Sequence, residues 1–196
     1  MKQTKYGKRR TISHRRKREA RTNYKKRLAL LKSGQARLVI RKSLNMIIAQ
    51  LIGYAPDGDK VLAAATSSEL KKLGWKGHAA NMPSAYLTGL LLGTKAKKKK
   101  ITKAVLDLGL QIPIKGGRLY ATLKGAVDAG LDIPHEKEAL PSNERISGKH
   151  IAEYAGKLKK NTQAYEKQFS HYTKEKFSPE DMVKAFEETK KKVLSS

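Results

Sequence analysis

The residues with the plainest chemistry are cations set close together. Lys8, Arg9 and Arg10, then Arg15, Arg16, Lys17 and Arg18, then Arg21, belong to a stretch holding thirteen Lys or Arg up to Arg27 against one acid, Glu19. Such a density repels itself, does not bury, and requires an anionic partner. A nucleic-acid backbone fits a long cationic arm, because each Lys or Arg that displaces a counterion adds salt-sensitive affinity. Arginine is enriched here, and its planar fork both grips phosphate and stacks on bases. Tyr6 and Tyr24 are stacking candidates, since the arm has no core in which to bury them. The competing reading is a solvated tail.

Catalytic chemistry is harder to assemble. No two of His14, His78, His135, His150 and His171 stand at metal-ligand spacing, and there is no HExxH. Neither GxxxxGK[ST] nor GxGxxG occurs, so no nucleotide phosphate loop is expected. Lys115, Gly116, Gly117 and Arg118 precede a helical pattern. Backbone N–H groups there, with Arg118, could hold one phosphate, or the glycines could serve an ordinary loop at positive φ. Trp75 and Lys76 sit in GWKGH, where the indole could stack on a base or pin the loop to a core. Ribonuclease-H-like nucleases share the element order derived below and clamp two metals on several carboxylates. Asp107 is one carboxylate on a strand, but residues 36–42 and 82–97 contain no acid, so the clamp is missing. The reading is therefore no enzyme, no cofactor and no metal.

The surrounding composition agrees. At 39% hydrophobic and 31% charged, the 196 residues can build one core but leave part of the chain outside it. The net charge of +26 is clustered: residues 1–27 carry +12 and residues 67–100 carry +7. Clustering marks a binding face rather than general solubility. The absence of cysteine removes disulfides and Cys-ligated zinc and suits the cytosol. No apolar run approaches the roughly 18 residues of a membrane span, and the N-terminus has no secretory h-region.

These residues must be held by elements that the pattern also reveals. Thr22 or Asn23 can cap a helix bearing Tyr24, Leu28 and Leu31 on one face, with Gly34 closing it. Residues 36–42 alternate as a strand, with Arg37, Val39 and Arg41 on one side. Residues 45–54 form a strand apolar on both faces, and 60–67 return after the turn at 55–59, giving an antiparallel meander. Asn81 and Pro83 start a helix with a stripe of Tyr86, Leu87, Leu90, Leu91 and Thr94 that runs into KAKKKK. Residues 103–110 form a fourth strand after this crossover, parallel to a neighbour. A further helix covers 119–131. The fold class is α/β (α+β mixed): a three-stranded antiparallel meander plus a fourth strand after a crossover helix, with helices packed on the sheet. A basic arm (1–21) precedes the core domain (22–135), and a helical extension (136–196) docks on it. In that extension, 146–160 reads as one helix, and Ser178 with Pro179 reads as the start of a last one.

Four blocks carry a resemblance: RTNYKKRLALLKSGQARLVIRKSLNMIIAQ, GWKGHAANMPSAYLTGLLLGTKA, LKGAVDAGLDIPH and GKHIAEYA, in this order. Together they resemble the ribosomal protein eighteen family of the large subunit, in its archaeal type. The resemblance implies a non-catalytic structural constituent of the cytoplasmic ribosome. It implies binding of 5S rRNA and its attachment to large-subunit rRNA in the central protuberance, beside neighbouring ribosomal proteins, with no membrane or small-molecule substrate. The RNA-facing positions it implies are the arm through His14, Thr22, Asn23, Tyr24 and Arg27, then Arg37, Arg41 and Lys42, then Trp75 and Lys76, then Lys115, Gly116, Gly117 and Arg118. KAKKKK is more basic than the family leads one to expect, and residues 156–177 match it only loosely. A sequence-tolerant nucleic-acid coat is the alternative that charge alone allows.

Overall fold

A computed structural model describes residues 12–195. Its sheet is built from β1 (Ala36–Lys42), β2 (Ile47–Gly53), β3 (Lys60–Thr66) and β4 (Ala104–Asp107), in the order β3-β2-β1-β4. β1 is antiparallel to β2 and parallel to β4, the pairing expected of a meander followed by a crossover. Leu38, Ile40, Ile47, Ala49, Leu51, Ala63 and Ala65 are buried on the helix-covered side. The fourth strand is shorter than its apolar pattern implied: it stops at Asp107, and Gln111 continues the pairing with its side chain. Its Nε2 donates to the Ile40 carbonyl at 3.1 Å and its Oε1 accepts from the Lys42 N–H at 3.4 Å.

The helix α4 (Met82–Lys98) is the centre of the core, after the short α3 (Glu69–Lys72). The Asn81 side chain caps it, accepting from the Ser84 N–H at 2.9 Å, and Pro83 occupies its first turn. It carries more than the expected stripe. Every residue from Met82 to Gly93 is buried, because the sheet lies on one side and α5 (Arg118–Asp128) and α9 (Met182–Ser195) on others. α4 and α5 approach closely through glycines. A Cβ on Gly89 would lie 1.9 Å from the Thr122 carbonyl oxygen, and one on Gly125 would lie 2.1 Å from that of Tyr86.

The C-terminal part is helical, with different boundaries from those expected. Gly148, at φ +84°, splits the predicted 146–160 helix into α6 (Asn143–Ser147) and α7 (Lys149–Leu158). Ser178 makes no side-chain cap; a 3-10 turn over Pro179–Asp181 leads into α9. The sequence reading named no element within 162–174, where α8 (Thr162–Lys174) lies, capped by the Asn161 side chain on the Ala164 N–H at 3.2 Å. Phe169, Tyr172 and Phe177 join its aromatic side to the core.

The KAKKKK run has a partly structural role. The outward N–H of Thr66 donates to the Glu69 carboxylate at 3.0 Å, Lys95 donates to the Ala64 carbonyl at 2.9 Å, and Lys99 donates to the Leu62 carbonyl at 2.5 Å. Lys95 also pairs with Glu69. The open edge of β3 is thereby closed by side chains, as unpaired sheet edges require.

Candidate nucleic-acid interface

The basic arm folds back before it enters the core. Arg15–Arg18 form a single helical turn, α1, where the sequence indicated only a charge run. Arg16 Nε donates to the Thr22 hydroxyl at 2.9 Å, and the His14 and Tyr24 rings lie 5.1 Å apart. Arg15 and Arg21 flank Glu19 at 3.8 and 3.4 Å, in exposed pairs of little energetic weight. The helix α2 (Tyr24–Leu31) follows, capped by Asn23 Oδ1, which accepts from the Lys26 N–H at 3.0 Å. Lys8, Arg9 and Arg10 lie outside the described residues.

Between this folded arm and the sheet runs a groove of about 1010 Å³. One wall is Arg16, Arg21, Thr22, Asn23 and Tyr24; the other is the far end of β1, with Arg41 and Lys42, and the loop 108–111. Arg41 and Lys42 are exposed. Lys26, which the sequence reading did not single out, also lines the groove and donates to the Gly109 carbonyl at 3.4 Å. Its signal was its place beside Arg27 in NYKKR. Gln111 and Gly109 gave no signal, because their role depends on where β4 ends.

Several expected RNA contacts are engaged within the protein. Arg37 is turned inward: Nη1 donates to Asp107 at 2.8 Å and Nη2 to Asp59 at 2.7 Å, with the side chain 4% exposed. Little of its side chain is exposed to the groove that it lines. Arg27 forms a two-pronged pair with Asp59, at 2.9 and 2.8 Å. Its hydrogen bonds hold the Asp59 carboxyl below the usual carboxylate range against the opposing effect of burial, aided by the nearby Arg37 charge. Asp107 is thus a structural partner of Arg37. Among the described residues, no group of three His, Cys, Asp or Glu could hold a metal ion.

The two loops are also corrected by their geometry. Trp75 is 2% exposed within the core cluster, and Nε1 donates to the His78 carbonyl at 3.4 Å. Gly77 lies flat on the indole, since a Cβ there would be 2.5 Å from the ring. The ring is a loop anchor and cannot stack on a base; Lys76 remains exposed. In Lys115–Arg118 the two glycine amides are engaged within the protein. The Gly116 N–H donates to the Ala139 carbonyl at 2.9 Å and the Gly117 N–H to the Ile114 carbonyl at 3.0 Å. Arg118 donates to the Ala80 carbonyl at 2.6 Å, and Lys115 lies 3.5 Å from Glu138. This loop joins elements together: Gly116 needs its φ of +66°, and Gly117 begins α5.

A face of this kind, cationic and grooved beside a sheet whose carboxylates are all paired with arginine, suits RNA, and comparison with known proteins is decisive on family. Residues 8–103 and 93–136 match the family of ribosomal large subunit proteins 60S L5 and 50S L18. The chain is also 50% identical over 184 residues to large ribosomal subunit protein uL18 of Methanococcus maripaludis, covering 94% of this chain and 95% of that protein. The chain belongs to the uL18 family. It is of the archaeal type, a structural ribosomal protein and not an enzyme, and its place is the ribosome in the cytoplasm, among rRNA and other ribosomal proteins. The uL18 family match includes Lys8, Arg9 and Arg10 as well as the groove. Among the described residues no helix is long and apolar enough to cross a membrane.

Proposed function

We propose that the chain binds 5S rRNA through the groove between its folded arm and the sheet, and helps attach that RNA to large-subunit rRNA in the central protuberance. The observation that carries the reading is the convergence of Arg16, Arg21, Arg41 and Lys42 on one groove, in a member of the uL18 family. The residues that contact RNA in this reading are Arg15, Arg16, Lys17, Arg18 and Arg21, with Tyr24, Lys26, Arg41 and Lys42. Lys8, Arg9 and Arg10 extend the same charge. In this reading residues 1–21 are the RNA-binding arm, 22–135 the core that fixes the groove, and 136–196 an extension serving protein or RNA neighbours. A rigid cationic groove recognises the shape of one folded RNA, while the arm adds sequence-independent affinity.

The test is competition binding of the full chain to 5S rRNA against an unrelated folded RNA of equal length, followed by capture of large-subunit rRNA fragments on the 5S complex. Preference for 5S rRNA and recruitment of the second RNA are expected. Equal binding of both RNAs would favour a sequence-tolerant coat instead.

A further inference from the structure

Asp59 is out of place on electrostatic grounds. It lies in the wall of a groove lined by Arg16, Arg21, Lys26, Arg41 and Lys42, and its side chain is 27% exposed. A carboxylate there repels a polyanion. Its oxygens, however, are fully engaged. Oδ1 accepts from Arg27 at 2.8 Å, and Oδ2 accepts from Arg27 at 2.9 Å and from Arg37 at 2.7 Å. Arg27 belongs to α2; Arg37 belongs to β1 and is fixed on its other nitrogen by Asp107 of β4. Asp59 itself stands in the turn before β3. One carboxylate therefore joins the arm helix to the sheet.

That link matters because α2 has little else to hold it. None of its residues is buried, and Leu28 is largely exposed. Among the described residues, a further polar tie from its body to the core is the long Lys26–Gly109 bond. The orientation of α2 sets where Tyr24, and through Thr22 and Arg16 the α1 turn, stand along the groove.

We propose that Asp59 is a positioning residue that sets RNA specificity: a latch that fixes the arm helix on the sheet so that the two walls of the groove keep one spacing. The inference rests on the groove being the RNA face. The carboxyl is held ionised by its arginines, so the latch is closed at neutral pH. Charge and positioning make opposite predictions for its removal. By charge alone, Asp59→Asn frees Arg27 and strengthens binding to every RNA. As a latch, its loss weakens 5S rRNA while leaving or improving unrelated RNA.

The experiment measures affinities of the full chain for 5S rRNA and for an unrelated folded RNA of equal length across a salt series. The variants are wild type, Asp59→Asn, Asp59→Glu, Arg27→Gln and the Asp59→Asn/Arg27→Gln double, each with a thermal melt. Asp59→Asn is expected to lose about tenfold in 5S preference, within the coupling range of one ion-pair network. The freed Arg27 should steepen the log–log salt slope for unrelated RNA by roughly 0.7–0.9. Asp59→Glu should restore part of the preference. Arg27→Gln keeps the Arg37–Asp107 pair, so it tests the latch even if Asp59→Asn melts early. The double variant should be no worse than the more damaging single. A wild-type chain without 5S preference would overturn the RNA reading itself. A wild-type preference that both single variants keep, or losses that simply add in the double, would overturn the latch alone.

Discussion

Arg37 holds Asp107 and Asp59 with one guanidinium, and burial makes that arrangement rigid in consequence. A buried pair adds little over a hydrophobic substitute, but removing one member strands the other, which costs about 3–5 kcal/mol. Arg37→Met should therefore lose about that much stability in urea; a loss under ~1 kcal/mol would show the network to be solvated. Asp59 adds a pH signature. Its folded carboxyl titrates below the unfolded value of about 3.9, so its stabilisation is complete above that value and is lost as pH falls through the lower folded value. The melting-temperature gap between wild type and Asp59→Asn should be constant from neutral pH to about 5 and close in stronger acid. A gap unchanged down to pH ~2 would contradict the pairing. Trp75 is tested by light: its emission should be that of a buried indole and should not change when RNA binds. Trp75→Ala should cost about 3–5 kcal/mol in stability. Strand alternation correctly set Arg37 and Arg41 on one side of β1. It did not show that α2 and the turn before β3 cover the first and leave the second exposed. Burial of one arginine and exposure of another four residues on is decided by tertiary cover, which a period of two does not encode.

At the scale of elements, the sheet was legible because its strands are short, apolar and separated by turn residues. The β1 boundaries and the parallel placement of β4 follow from that pattern and the crossover rule. The C-terminal helices were less legible. Gly148 breaks a continuous helical pattern because Met182 and Pro83 pack against it, with a Cβ there only 2.6 Å from Met182. α8 carries few aliphatic residues and is secured by aromatic contacts, which a search for aliphatic periodicity passes over. The glycines of α4 and α5 give the sharpest element-level test. Helix propensity alone favours Gly→Ala by roughly 1 kcal/mol. Gly156 in α7 has nothing within 4 Å of a new Cβ, so Gly156→Ala should stabilise by roughly 0.5–1 kcal/mol. Gly89→Ala and Gly125→Ala should instead destabilise by about 1–3 kcal/mol or more, because the obstructing atoms are backbone. Chemical denaturation of the three variants checks the contrast; a gain at Gly89 or Gly125 would mean that the helices separate easily.

At the scale of the whole molecule, a charge of +26 is divided by the fold into cations that brace the protein and cations left for a partner. Arg27, Arg37, Lys95, Lys99 and Arg118 brace. Arg16, Arg21, Arg41 and Lys42 stand on the groove. The sequence showed where charge was dense and which family the blocks resembled; it did not show this division, because bracing depends on which carboxylates and carbonyls the fold brings near. The central claim is that the groove is the face for 5S rRNA. Its most direct measurement is the salt dependence of 5S rRNA binding by the Arg41→Gln/Lys42→Gln double variant, beside a Lys167→Gln/Lys191→Gln control on α8 and α9. The account predicts that the groove pair lowers the log–log slope by roughly 0.7–0.9 per residue and weakens binding, while the control pair leaves both close to wild type. Equal effects of the two pairs, or a loss confined to the control, would contradict it.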